Sequence, residues 1–213
     1  MKNYSVTVCI PSKLENQEYI IELIESLNKQ TTLPEELLIV ASGRKIEDLR
    51  KTSEEINNKI STLIDIKYIF SKNKGLSLAR NIGIKNCKSE IIVFGDDDDI
   101  WDPERIFYIK NAIIKNGPCL VRHLHKDQKN GEILDCPKRY SLPPNLFLIG
   151  TGNLLGGGSN FAGSVSCFSS IKFNQNLKFC EDWEFWIRAL LSDTPITSIN
   201  KPLVIYRSHE NRM

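Results

Sequence analysis

The sequence predicts a single α/β domain, a mostly parallel central sheet flanked by helices on both faces. Three observations predict it. Short apolar runs alternate with amphipathic segments through about residue 115, the order that builds a parallel sheet. Two of those runs, Leu37-Leu38-Ile39-Val40 and Ile91-Ile92-Val93-Phe94, are apolar without interruption, as strands covered on both faces are. With 213 residues, 41% of them apolar and 25% charged, the chain has the size and composition to bury a substantial core.

In chain order, Val6, Val8 and Ile10 alternate with polar or small residues, and this first strand is expected to stop at Pro11. Between Glu18 and Lys29, Tyr19, Ile20, Leu23, Ile24 and Leu27 fall on one helical face. After the Leu37–Val40 strand comes a charged helix from about Ile46 to Lys59, then a strand at Ile66–Phe70. A short helix at Leu76–Lys85 leads into the Ile91–Phe94 strand. Asp102 before Pro103 is expected to open the next helix, with proline in its first position. His123 and His125 form an H-x-H on a strand, which puts both on one face in a structural role. From Ser141 to Ser170 the chain is rich in turns, with Pro143, Pro144, Gly150, Gly152, Gly156, Gly157, Gly158 and Gly163. This stretch reads either as a substrate loop or as a plain surface connection. A last amphipathic helix carries Trp183, Phe185, Trp186, Ile187, Leu190 and Leu191, and Leu203–Tyr206 is a last strand. Trp183 and Trp186 stand at core spacing rather than as a sugar platform. There is no internal repeat and no low-complexity tract.

The bulk numbers exclude several classes. A net charge of +2, from 28 basic and 26 acidic side chains, gives no electrostatic footprint for nucleic acid. The six cysteines show no metal-binding spacing and are expected to be reduced core residues. No apolar run reaches the roughly 20 residues that span a bilayer. The start of the chain lacks a signal-peptide core, so a soluble, cytoplasmic protein is expected.

The chemistry concentrates after the Ile91–Phe94 strand. Gly95 is followed by Asp96, Asp97, Asp98 and Asp99, at the strand's carboxyl end, where open α/β sheets bind their ligands. Four adjacent carboxylates repel one another, and a bound divalent cation removes that repulsion. Hard oxygen donors favour Mg²⁺ or Mn²⁺, with phosphate oxygens completing the shell. The alternative is a solvated acidic turn that caps the following helix.

Four segments then carry a family resemblance. Asn73-Lys74-Gly75 through Ala79-Arg80-Asn81-Ile82-Gly83 resembles the N-x-G-x-x-x-A-R-N-x-G pattern of the inverting glycosyltransferases of family 2, which have the GT-A fold. Asp96–Asp99 with Pro103 is similar to their D-x-D-D run and proline, Glu181-Asp182 through Arg188 to their E-D-x-x-x-x-x-R helix start, and Tyr206-Arg207-Ser208-His209 to their Y-R-x-H. One such motif is weak; four in order are specific. The resemblance runs from Tyr4 to Met213, with residues 1–103 as a nucleotide-binding half and 104–213 as an acceptor and catalytic half. More loosely, the chain resembles the amino-terminal domain of a glycosyltransferase of large algal viruses, which would place it in a host cytoplasm. It ends four residues after His209, which suits a domain of a longer protein.

What the resemblance implies is transfer of a sugar from a nucleotide diphosphate donor, with UDP favoured, onto a hydroxyl of a glycan or another acceptor. The donor would lie against Pro11 and Ser12 of the first loop, Ser42, Asn73, Gly75, Arg80, Asp96 and Asp97. Arg80 would approach the phosphates and Asp96 the ribose or sugar hydroxyls. Mn²⁺ or Mg²⁺ would be held by Asp98 and Asp99, with His209 completing the set. Asp182 would be the general base; the plain alternative is that Glu181-Asp182 only caps its helix. Two segments depart from the family: Ala41-Ser42-Gly43 stands where Asp-Asp-Gly-Ser is usual, and Pro11-Ser12-Lys13-Leu14 where Pro-Thr-Tyr-Asn is usual. Two other activities remain open at this point: a nucleotidyltransferase, although no glycine-rich loop follows Ile10, and a catalytically inactive nucleotide-sugar-binding domain.

Overall fold

The structure is a computed structural model and describes residues 4–129 and 132–207. The first half alternates as expected: β1 (Val6–Ser12), α1 (Gln17–Asn28), β2 (Glu36–Ala41), α2 (Ile46–Asn57), β3 (Asp65–Phe70), α3 (Leu76–Asn86) and β4 (Ile91–Phe94). The second half continues with β5 (Ile100–Trp101), α4 (Arg105–Asn116), β6 (Leu120–Lys129), β7 (Glu132–Asp135), α5 (Leu146–Ile149), β8 (Ala162–Ser164), α6 (Val165–Ser170), α7 (Glu181–Leu191) and β9 (Ile196–Arg207). Short 3₁₀ turns lie at Lys138–Ser141 and Gly158–Asn160.

One sheet runs in the order β3-β2-β1-β4-β8-β6-β9-β5, with β7 paired to β6. The long ladders β1–β2, β2–β3 and β6–β9 are parallel, as is β1–β4. The antiparallel pairings, β4–β8, β6–β8, β6–β7 and β5–β9, are shorter. Strand alternation divides the core between two faces. On one face Val8, Ile10, Ile39, Ile91 and Val93 pack with Ile20, Leu23, Ile24 and Leu27 of α1, Leu49 and Ile56 of α2, and Ile106, Ile109 and Ile113 of α4. On the other, Cys9, Val40, Ile92 and Phe94 meet Ala79 and Ile84 of α3, Phe168 of α6, and Phe185, Trp186 and Ala189 of α7. Phe161 stacks on Trp186 with ring centroids 4.4 Å apart, so Trp186 is core, as its spacing predicts.

Several boundaries differ from the sequence reading, each for a local reason. β1 does not stop at Pro11. Cys9 turns its carbonyl toward Gly95 N–H, so Pro11, two residues on, faces the same side beyond the end of β4, where a missing N–H leaves no ladder bond unmade. α4 starts at Arg105, not at Pro103. Asp102 instead makes a turn, its side chain accepting from Glu104 N–H at 2.9 Å and its carbonyl from Arg105 N–H at 3.0 Å. The glycine-rich stretch is not a simple surface connection, because it supplies the buried Gly158–Asn160 turn and all of β8, the strand between β4 and β6. β9 begins seven residues before the expected Leu203. All six cysteines are free, as expected, but only Cys9 and Cys119 are buried in the core; Cys87, Cys136 and Cys167 are half-buried and Cys180 is exposed.

Candidate active site

The site is built where β1 and β4 end. Gly95 leaves β4 and the acid run turns back on itself, Asp99 N–H reaching Asp96 carbonyl at 3.4 Å. This turn sends successive side chains in different directions. Asp97 points toward β1 and accepts from the Ser12 hydroxyl, which also accepts from Leu14 N–H at 2.8 Å. Burial pushes the Asp97 carboxyl up to about 6, with the Ser12 bond opposing and the charges on Asp98 and Asp96 adding to the rise. Asp96, Asp98 and Asp99 converge instead, each offering a carboxylate oxygen within 4.8 Å of the others. Such a set fits a hard divalent ion: the donors are oxygens, they are close enough to share one cation, and their mutual repulsion favours one.

Asp99 is fully buried. Its carboxylate accepts from the Ser159 hydroxyl, and that hydroxyl in turn accepts from Asp96 N–H at 2.8 Å. Behind them lies Arg105, also fully buried. Its Nη2 donates to the carbonyls of Phe94, at 2.7 Å, and Ser159, and its guanidinium rests 3.6 Å over the Trp101 ring. Burial pulls its pKa down while the charge of Asp99 pushes it up.

α3 brings Arg80 in from the other side. The helix starts at Gly75 with φ +132, a conformation that suits glycine alone. One turn on, Arg80 is 2% exposed and paired with Glu181 at 2.7 Å, with Asp96 at 3.7 Å from its other nitrogen. A side chain at Gly158 would collide with this guanidinium, so the glycine turn closes directly over the ion pair. Glu181 opens α7 and Asp182 follows it. Burial raises the Asp182 pKa, against a 2.6 Å bond from Trp183 N–H. A side chain at Gly157 would meet both the Asp182 carboxylate and the Tyr206 hydroxyl.

The structure thus joins Ser12, Arg80, Asp96, Asp97, Asp98, Asp99 and Asp182 in one region. Ser42 borders it through a backbone bond, its N–H donating to Ser12 carbonyl at 3.0 Å, and Pro11 precedes Ser12 in β1. Asn73 lies exposed in the β3–α3 loop, its carbonyl accepting from Ser71. His209 lies outside the described residues. His123 and His125 are both buried; His125 stacks on Tyr206 at 4.4 Å, and Asn160, bonded to Tyr206, donates to the His123 carbonyl. Sequence reasoning missed Ser159, Asn160 and Arg105. The signal for Arg105 was present: it shares the i, i+4, i+8 stripe of Ile109 and Ile113, a charge on an apolar face. A surface groove of about 400 Å³ beside β3 lies elsewhere, and its Lys67 is already paired with Glu36 and Asp65.

The comparisons with known proteins identify the family and the fold. The pattern of Glycosyl transferase family 2 matches residues 7–172. The chain belongs to that family. A UDP-Gal:alpha-D-GlcNAc-diphosphoundecaprenol beta-1,3-galactosyltransferase of Escherichia coli is 30% identical over 118 residues, 54% of this chain and 40% of that protein. An uncharacterised glycosyltransferase of Methanocaldococcus jannaschii is 25% identical over 208 residues, 95% of this chain and 70% of that one. Among solved structures, S. aureus TarS 1-349 in complex with UDP-GlcNAc superposes with a TM-score of 0.75 at 21% identity, covering 98% of this chain and 60% of that one. The glycosyltransferase GT-A fold expected from the motifs is therefore the fold observed. This chain spans about a third to two fifths of the length of several curated relatives. Among the described residues, no helix is long and apolar enough to cross a membrane.

Proposed function

We propose that this chain is the catalytic domain of a metal-dependent, inverting glycosyltransferase that moves a sugar from a UDP-sugar to a hydroxyl of a glycan or other acceptor. The observation that carries the reading is the ion pair of Arg80 with Glu181, which places the acid cluster after β4 beside Asp182 at the start of α7. In this reading, donor-side and acceptor-side acids face one reaction volume. The UDP-sugar named for the Escherichia coli relative and the UDP-GlcNAc held by TarS support the choice of donor.

In this reading residues 1–103 hold the nucleotide and 104–213 the acceptor. The Ser12–Asp97 pair ties the end of β1 to the acid turn on the nucleotide side. Asp98 and Asp99 hold Mn²⁺ or Mg²⁺, and Asp96, in the same cluster, faces the donor's ribose or sugar hydroxyls. When bound, the ion neutralises charge on the leaving diphosphate. Arg80 is already engaged by Glu181, so its guanidinium shapes the donor site from behind as much as by direct contact. Asp182 takes the proton of the incoming hydroxyl on the face opposite the diphosphate. Burial raises its pKa, which makes it a stronger base than an exposed aspartate.

The test is Asp182→Asn. With a panel of nucleotide sugars and Mn²⁺, transfer is expected to fall at least 10³-fold, an order of magnitude typical of losing a general base, while calorimetric donor affinity changes little. Wild-type transfer by the variant would remove Asp182 from the mechanism. If no nucleotide sugar stabilises the wild-type fold in the presence of metal, the donor assignment fails.

A further inference from the structure

We infer that Ser159 is a positioning residue that holds the acid turn closed, fixing the Asp99 carboxylate and the Asp96 backbone, before the ion arrives. The inference rests on the reading that Asp98 and Asp99 of this run hold a divalent cation. Ser159 is fully buried, and a serine hydroxyl has one proton to give. Here that proton goes to Asp99, while the oxygen takes the Asp96 amide proton at 2.8 Å. Both roles of the hydroxyl are used, so its orientation is determined, and it spans the first and last residues of the acid run.

Ser159 is itself held. Its carbonyl accepts from Arg105 Nη2, which also donates to the Phe94 carbonyl just before the run. The Arg105 Nε and Nη1 have no hydrogen-bond partner and are sealed from solvent, so the guanidinium acts on Asp99 through space, a buried positive charge behind a buried negative one. Three carboxylates within 4.8 Å of one another would otherwise spread apart. A donor bond to one of them and an amide bond to the backbone of another oppose that spreading. Groups that orient metal ligands from behind typically change metal affinity by about 10–100-fold when removed.

The measurement is a titration of free Mn²⁺ by electron paramagnetic resonance, on wild type, Ser159→Ala and Ser159→Thr. Ser159→Ala is expected to weaken Mn²⁺ binding about 10–100-fold, Ser159→Thr to restore most of it, and excess Mn²⁺ to return the alanine variant's kcat toward wild type. A purely structural role would lower the melting temperature without that metal rescue. If Ser159→Ala does not fold, Ser159→Cys, which keeps the volume and weakens the bond, takes its place in the same titration. Affinity within twofold of wild type in the variant overturns the inference. Wild-type protein that binds no Mn²⁺ overturns the reading of the acid cluster, and the inference with it.

Discussion

The pair of Arg80 and Glu181 allows a quantitative prediction, because a second carboxylate shares the charge. At 2.7 Å the attraction is about 6 kcal/mol at an effective dielectric of about 20. Asp96 at 3.7 Å adds about 4.5 kcal/mol on the same scale, an amount that solvent reduces, since about a third of that side chain is exposed. Desolvating the ions offsets much of both. Removing one partner of a buried pair nevertheless costs about 3–5 kcal/mol, because the other charge is left buried and alone. Glu181→Gln leaves Arg80 with Asp96 and with an amide oxygen in place of the carboxylate, so its cost should fall to about 2–3 kcal/mol. Arg80→Met leaves two carboxylates facing each other without a cation and should cost about 4–5 kcal/mol. The double variant should then be more stable than the sum of the single effects predicts, by about 2 kcal/mol. Equilibrium unfolding in guanidinium chloride, followed by fluorescence and circular dichroism, reads all three. If Arg80→Met destabilises no more than Glu181→Gln, Asp96 does not share the guanidinium; if the effects simply add, Arg80 and Glu181 are not coupled and the site is not joined in this way.

Two further predictions concern stability alone. Asp193 ends α7 with φ +53, where Thr194 N–H returns to Ala189 carbonyl and Asp193 N–H to Leu190 carbonyl; Asp193→Gly should relieve the left-handed strain and raise stability by about 0.5–1 kcal/mol, measured by the shift in denaturation midpoint. His123 is buried and its pKa lies well below 6.5, chiefly through burial. The unfolded chain therefore binds a proton below pH 6.5 that the folded chain refuses, so this residue's contribution is favourable above that pH and is lost as pH falls, by about 1.4 kcal/mol per unit. His123→Asn should flatten the pH dependence of unfolding free energy just below 6.5 relative to wild type, and parallel profiles for the two proteins would refute the assignment.

The parallel half of the fold was legible because its strands are unbroken apolar runs and its helices carry one apolar face each. The second half was harder to read for identifiable reasons. β8 is Ala162-Gly163-Ser164, too short and too small in side chains to show any period. β9 passes through Asn200 and Pro202, which break the pattern ahead of Leu203. In the site, residues adjacent in sequence were found together: Asp96–Asp99 at a strand end, and Asp182 at a helix start. Ser159 and Asn160 stayed hidden because a buried polar clamp owes its place to what folds over it, not to its neighbours in the chain. The run Gly156-Gly157-Gly158 just ahead of them was the available hint, since backbone that small lets other groups approach closely.

The insertion of β8 into the middle of the sheet has a consequence for synthesis. β4 pairs with β1 on one edge as soon as both have left the ribosome, but its other edge waits for Ala162, which pairs with Val93 and is made about 70 residues later. At about 5–20 residues per second this interval is roughly 4–14 s, during which the nascent chain carries an open apolar strand edge. Ser159 emerges just ahead of β8, so zipping of that strand and closure of the acidic turn must happen together. A ribosome stalled before residue 160 would therefore display a half-sheet that is ready to aggregate and has no assembled site.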